Sequence, residues 1–270
     1  MEEVEAFPLW SGSPGHYLSE GLRYPRFYTF IDGVVAPLFV NGVVPAAEIE
    51  GIALATAAAI ARRYGGQRLL VVLILEGARI FGERVLRQLE RLQEDYSLHY
   101  EVATIQVRSY EQGSQATAHK VLQPLRDHRG RELEDCGAFD GVALIDDLID
   151  GGGTMVWLIR EYLPRLSAKG LGVCTMLAKD RQRSRAVEDA LAGCLISTGR
   201  RAPDEWLVGY GLDMALPGGE GRRPTLHLFR QALPGGIYAF NTAIEQRLIA
   251  EHQANPQGVE DQLGVYLSSR

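Results

Sequence analysis

Cysteine is scarce in this chain. The three present among 270 residues, Cys136, Cys174 and Cys194, are odd in number, widely spaced and match no C-x-x-C or zinc-ligand pattern. A disulfide framework or a cysteine-held metal is therefore not expected; free buried thiols in a reducing, cytoplasmic setting are. Positive charge is short as well. The formal net charge is −6 and no Lys/Arg block reaches five residues, which argues against a nucleic-acid partner. Long apolar runs are missing too. The longest, LLVVLIL at 69–75, is far too short to span a bilayer. The first ten residues, MEEVEAFPLW, are acidic, with no basic residue and no long apolar run, unlike a signal or transit peptide. No membrane association is expected, and no internal repeat or low-complexity stretch is visible.

What remains is an ordinary globular composition, 46% hydrophobic and 23% charged, long enough for one large domain or a domain with appendages. From Val44, the stretch PAAEIEGIALATAAAIARRYGG reads as a helix, with Pro near its start and a Gly pair after its end. LLVVLIL follows as a strand buried on both faces. ARIFGERVLRQLERLQEDY has apolar residues at helical spacing, and YEVATIQV (100–107) alternates like a strand. RSYEQGSQATAHK (108–120) is polar and reads as a long loop. GVALI (141–145) is again a strand, TMVWLIREYLPRL a helix opened by glycines, and GVCTMLAK (172–179) a further strand. EWLVGYGLDM (205–214) reads as a strand ending in a turn, and TAIEQRLIAEHQ, after GGIYAF, as a helix. Strands alternating with helices imply an α/β fold, a central and mainly parallel twisted sheet flanked by helices.

In such a sheet, ligands bind beyond the carboxyl ends of the strands. The unusual residues fall there: Glu76-Gly77 after LLVVLIL, Lys179 after GVCTMLA and Asp213 after WLVGYGL. The densest group follows GVALI, in DDLIDGGGT: Asp146, Asp147, Asp150, Gly151, Gly152, Gly153 and Thr154. Each alone has a plain reading as a surface lysine, a turn former, a core aromatic (Trp206) or a flexible turn. Four strand ends converging on one edge are harder to dismiss. Glycines let the backbone turn its N–H groups into one concavity at the positive end of a helix, where a terminal monophosphate fits, with the Thr154 hydroxyl as a further donor. Asp146 and Asp147 are too acidic to bind that phosphate. They suit the hydroxyls of a ribose, or Mg²⁺ with its preference for oxygen ligands.

LIDDLIDGGGTM resembles the phosphoribosyl-pyrophosphate (PRPP) signature of the type I phosphoribosyltransferases, and further segments are similar to the hypoxanthine-guanine branch. LILEGARIFGERVLRQL is similar to that branch's pyrophosphate-loop strand and helix, VRSY (107–110) to its mobile catalytic loop, TMLAKDRQRS to its base-binding lysine segment and PDEWLVGYGLDM to its base-stacking and metal-binding strand. The motifs keep the family's order and cover roughly residues 44–235.

The resemblance implies transfer of phosphoribosyl from PRPP to an oxopurine, hypoxanthine or guanine, yielding a nucleoside monophosphate and pyrophosphate in purine salvage, with Mg²⁺ as cofactor. It implies that Asp146 and Asp147 hold the ribose hydroxyls, directly and through metal-bound water, and that Asp150 is the general acid/base at N7 of the purine. Residues Gly151, Gly152, Gly153 and Thr154 would cradle the 5-phosphate, with Glu76 and Gly77 at the pyrophosphate. Lys179 would donate to the 6-oxo group, Trp206 would stack on the base, and the Leu207 backbone would read its 2-position. Asp213 would ligate a second Mg²⁺, and Ser109 and Tyr110 would close over the reacting centre. A core at 44–214 would carry a hood built from 1–43 and 215–270, in a homodimer or homotetramer.

The chain departs from the family pattern at several points. Leu75-Glu76-Gly77 stands where Leu-Lys-Gly is usual, placing an anion beside the pyrophosphate; a non-proline cis peptide is expected at Leu75–Glu76. Asp146 replaces the commoner Glu, and Gly151 replaces a Thr. Gly219 takes the place of an expected arginine, with Arg222 and Arg223 nearby. Two further readings therefore stand beside the oxopurine transferase: a phosphoribosyltransferase with another acceptor, and a PRPP- or nucleotide-binding regulatory protein with reduced or no activity.

Overall fold

The runs of Val, Ile and Leu pair with one another in the computed structural model, which describes residues 28–31, 34–37, 39–112, 116–212 and 236–240. Strands β1 (Tyr28–Ile31), β2 (Val34–Pro37) and β3 (Phe39–Pro45) lead into helix α1 (Ala46–Tyr64). There follow β4 (Arg68–Leu75), α2 (Ala78–Leu92), β5 (His99–Gln112), β6 (Ala116–Asp127), β7 (Gly141–Ile149), α3 (Gly153–Trp157), β8 (Leu171–Lys179), α4 (Arg185–Ala192) and β9 (Leu195–Ala202). Two short strands, β10 (Leu207–Val208) and β11 (Gly236–Phe240), complete the described chain. The chain divides into two compact units, residues 50–203 and the described parts of 13–49 and 204–270.

The first unit is built on a six-stranded sheet of order β6-β5-β4-β7-β8-β9. Every neighbouring pair is parallel except β5–β6. The expected mainly parallel sheet flanked by helices is what the chain forms. Central β4 and β7 are buried because both their faces lie under helices, so their sequences are unbroken apolar runs rather than alternating ones. Helix α2 buries Ala78, Phe81, Gly82, Val85 and Leu89, one stripe at three- and four-residue spacing. Burial of a side chain such as Phe81 contributes roughly 1.5–3 kcal/mol. At Gly82 a Cβ would come within 2.6 Å of the Leu73 side chain, so glycine sets the closeness of α2 to β4.

The second unit holds the antiparallel pair β1–β2 and the three-stranded sheet β10-β11-β3. Its strand β10 is shorter than EWLVGYGLDM suggests. Only Leu207 and Val208 pair, after which Gly209, Tyr210 and Gly211 all take positive φ and turn the chain back so that Gly209 bridges Leu212. The expected helix TAIEQRLIAEHQ lies outside the described residues.

Two further expectations need correction. RSYEQGSQATAHK is no long loop: β5 runs on to Gln112 and β6 starts at Ala116, and the two pair antiparallel from Gln112↔Ala116 back to Ala103↔Asp127. Pairing between strands satisfies the backbone of polar residues as well as of apolar ones, so polarity alone was a poor guide. TMVWLIREYLPRL is not one uniform α-helix either. After α3 come a π-helical turn at Leu158–Tyr162 and a 3-10 turn at Leu163–Leu166. Pro164 has no N–H to give to the carbonyl four residues back and its ring crowds that carbonyl, so the regular ladder cannot continue through it. Strand β9 and helix α4 were not read from the sequence at all.

Among the described residues no helix is long and apolar enough to cross a membrane. The cysteines are free; Cys136 and Cys174 are buried, and burial pushes their thiols up to about 11 and about 12.

Candidate active site

Parallel pairing sends the carboxyl ends of β4, β7 and β8 to the same edge of the sheet. Register matters at this edge. β7 pairs with β8 through Ile149↔Ala178, which sets Asp150, the next residue, level with Lys179. Lys179 Nζ donates to Asp150 Oδ2 at 3.0 Å. The other carboxylate oxygen, Oδ1, accepts from Arg181 Nη1 at 2.6 Å. Burial alone would push the Asp150 carboxyl up, but the hydrogen bonds from Arg181 and Lys179 and their charges outweigh it and hold the group below the ordinary carboxylate value.

A third cation of the same segment holds the backbone. Arg183 donates from Nε to the carbonyl of Asp150 and from Nη2 to the carbonyls of Ile149 and Lys179, all at 2.8–2.9 Å. Residues 179, 181 and 183 thus form a strap across the turn that follows β7. Asp180, between them, pairs with Arg201 at the end of β9. Sequence reading found Lys179 and missed Arg181 and Arg183. The signal was present in KDRQR, basic residues at alternate positions next to an acid-bearing strand end, but it has the look of an ordinary solvated loop.

Beyond Asp150 the turn is shaped by Gly152, which takes φ +80° and starts α3. A side chain there would be strained by backbone conformation and would also come within 2.6 Å of Val187. Gly151 is exposed, and Gly153 and Thr154 are half-buried in the first turn of the helix. The N–H groups of this turn therefore sit at a helix start behind a left-handed glycine, the geometry that suits an anion.

Asp146 and Asp147 stand at the end of β7, upstream of that turn. Asp146 Oδ1 accepts from the Asp147 N–H at 3.0 Å. Burial, and then the neighbouring Asp147 charge, push the Asp146 carboxyl well above the ordinary value. Asp147 lies against Gly77 of the turn after β4; a Cβ on Gly77 would collide with the Asp147 carboxylate. The turn after β4 thus touches the end of β7, and only glycine allows it.

The Leu75–Glu76 peptide is cis, as expected. Glu76 does not face its turn alone: it forms an ion pair with Arg79, one helical turn on, so the anion that replaces the usual lysine has its own counter-charge. Ser109 and Tyr110 lie on β5, paired through the backbone with His119 and Ala118 of β6. His119 stacks on Trp157 with ring centres 5.3 Å apart, and its Nε2 would lie 3.8 Å from a Cβ on Gly153. That nitrogen is buried and has no hydrogen-bond partner among the described residues. Burial lowers the His119 pKa, with the Glu161 charge opposing. Trp206, half-buried, and Leu207, buried on β10, belong to the second unit. Asp213 lies outside the described residues, as do Gly219, Arg222 and Arg223. Among the described residues no three acids, histidines or cysteines gather as a metal cluster.

The chain is similar to proteins of known family. The family model for the phosphoribosyl transferase domain matches residues 45–214. The hypoxanthine phosphoribosyltransferase of Salmonella typhimurium is 30% identical over 180 residues, covering 65% of this chain and 88% of that protein. The hypoxanthine-guanine phosphoribosyltransferase of Mycobacterium avium is 32% identical over 152 residues, covering 55% of this chain and 63% of its own. A crystal structure of a hypoxanthine phosphoribosyltransferase from Staphylococcus aureus has the same fold, with a TM-score of 0.53 at 23% identity over 75% of this chain and 92% of that one. With the glycine turn behind an acid-bearing central strand and the family model spanning more than half of its length, the chain belongs to the phosphoribosyl transferase domain family.

Proposed function

We propose that the protein transfers 5-phosphoribosyl from PRPP to an oxopurine, hypoxanthine or guanine, releasing pyrophosphate and a nucleoside 5′-monophosphate for purine salvage. One observation carries this reading: Asp150, with Lys179 on its carboxylate, sits between the paired acids of β7 and the left-handed glycine turn. Proton carrier, sugar site and phosphate cradle thereby follow one another along one sheet edge. The names and similarity of the relatives above support the base class.

In this reading the N–H groups of 151–154 and the Thr154 hydroxyl take the 5-phosphate, and Asp146 and Asp147 accept from the ribose hydroxyls. Lys179 donates to the 6-oxo group, which an amino group in its place could not accept. Trp206 stacks on the base, the Leu207 backbone reads its 2-position, and the backbone at Glu76-Gly77 receives the pyrophosphate. As the bond from the ribose C1 to pyrophosphate breaks, N9 of the base bonds to that carbon and Asp150 removes the proton from N7, the other nitrogen of the same ring. Ser109 and Tyr110, on the β5–β6 hairpin, exclude water from the oxocarbenium-like centre. The core is taken as residues 44–214, with a hood from 1–43 and 215–270.

Mg²⁺ fits the residues at hand. Asp146 and Asp147 offer oxygen donors only, and the burial and like charge that oppose ionisation of Asp146 are what a divalent cation relieves. When bound, with Asp213 as a further ligand, it would neutralise negative charge growing on the leaving pyrophosphate. We read the protein as a cytoplasmic homodimer or homotetramer, which light scattering on the purified chain checks.

The deciding assay is purified protein with PRPP and Mg²⁺, given hypoxanthine, guanine, xanthine or adenine in turn. Nucleotide formation with an oxopurine and not with adenine is expected, and turnover stops when Mg²⁺ is chelated. Nucleotide binding with no turnover on any base would replace the transferase with a binding protein.

A further inference from the structure

Lys179 and Arg181 share one carboxylate, and the division between its two oxygens has a consequence for proton transfer. Lys179 Nζ is on Oδ2 at 3.0 Å and Arg181 Nη1 is on Oδ1 at 2.6 Å, so each oxygen already has a cation as its donor. The two cations are not equivalent. Lys179 is the more enclosed, with 12% of its side chain exposed, and continues β8. Arg181 lies two residues beyond the strand, 42% exposed, and approaches from outside. Arg183 holds the carbonyls of Ile149, Asp150 and Lys179 and so fixes the backbone of both partners, leaving the side chains to choose their contacts.

We propose that Arg181 is a positioning residue for proton transfer: it keeps hold of Asp150 Oδ1 when Lys179 leaves for the 6-oxo group of the base, so that Oδ2 alone is freed and faces the base nitrogen as a carboxylate. This rests on the transferase reading above. The exchange balances. Lys179 trades Asp150 for the base oxygen and stays charged. N9 of the base bonds to C1, C1 releases pyrophosphate, and the proton on N7 goes to Oδ2. Arg181 neither gains nor loses a proton, since a guanidinium stays charged at any working pH. Without it, departure of Lys179 would strip Asp150 of both neighbouring cations at the moment it must be ionised. Among the described residues, Lys179, Arg181 and, through its backbone contacts, Arg183 are the charged groups shown to face Asp150.

The sign of the pH effect follows. Hydrogen bonds from Arg181 and Lys179 hold Asp150 below the ordinary carboxylate value. Loss of Arg181 lets it rise, so the carboxylate that accepts the proton is lost at a higher pH than in the native protein.

The test uses the full chain as native protein, Arg181→Ala and Arg181→Lys. It measures kcat/KM for hypoxanthine against pH, and separately follows the Asp150 carboxyl carbon by NMR titration without substrate. In Arg181→Ala the acid limb of the profile and the Asp150 titration both move to higher pH, kcat falls several-fold more than KM rises, and Arg181→Lys restores most of both. An acid limb and a titration that stay where the native ones are, in a variant that still folds and binds nucleotide, overturn the role of Arg181 and leave the transferase reading intact. A native protein with no turnover on any base overturns that reading and this inference together.

Discussion

Two turns, one after β4 and one after β7, meet at the same sheet edge and neutralise their acids in opposite ways. Glu76 of the first is paired by Arg79, three residues on and in the same helical turn. Asp150 of the second is paired by Lys179 and Arg181, 29 and 31 residues away on the far side of β8. The first is a local, solvent-facing arrangement that any helix start can make. The second needs the sheet to form before its charges meet. The first ties up its acid within three residues, while the second holds its carboxylate through residues that only the folded sheet brings near. Asp146 stands apart from both: burial and the neighbouring Asp147 charge push its carboxyl up.

Breaking the second turn at its acid should have the largest effect. Asp150→Asn keeps the shape but cannot take a proton, and turnover should fall by about 10²–10⁴-fold, the usual range for a positioned general base. Nucleotide affinity by calorimetry should change far less; equal loss of both would remove Asp150 from proton transfer. Next comes the backbone of the same turn. Gly152→Ala forces an L-residue to φ +80° against Val187, and should cost about 1–3 kcal/mol of unfolding free energy by urea denaturation. A fully stable variant would mean the left-handed turn is not required.

Asp146→Asn separates stability from function. Removing one of two adjacent acids should stabilise the metal-free protein by about 0.5–2 kcal/mol while turnover falls, in the way active sites commonly trade one for the other. A variant that loses both would point to a structural role instead. The smallest effect belongs to the first turn. Arg79 is 56% exposed, and Arg79→Ala should change stability by less than about 0.5 kcal/mol in thermal melts. A larger loss would show that the Glu76 charge is not met locally and would erase the contrast between the turns.

Much of this site is legible along the chain because its parts are contiguous. DDLIDGGGT lies at one strand end, and the buried strands LLVVLIL and GVALI stand out by apolar run alone. The β5–β6 hairpin was not legible, since Ser109, Tyr110 and His119 sit in a polar stretch whose strand character comes from pairing rather than from an apolar face. Strand β9, LISTGRRA, is half-buried along most of its length and carries no apolar run to announce it. His119 on Trp157 and Arg183 on the β7 turn were equally hidden, as each joins residues more than thirty positions apart.

By itself, the sequence determined the α/β alternation, the glycine turn and the identity of the acids, because these depend on side-chain type and short-range spacing. Tertiary structure alone decided which cations those acids meet, that Asp147 lies against Gly77, and that the Asp150 carboxyl is held down while that of Asp146 is pushed up. The reason is range. A carboxylate's charge state is set by burial and by charges within a few ångströms, and the strand register that brings those neighbours together is a property of the assembled sheet.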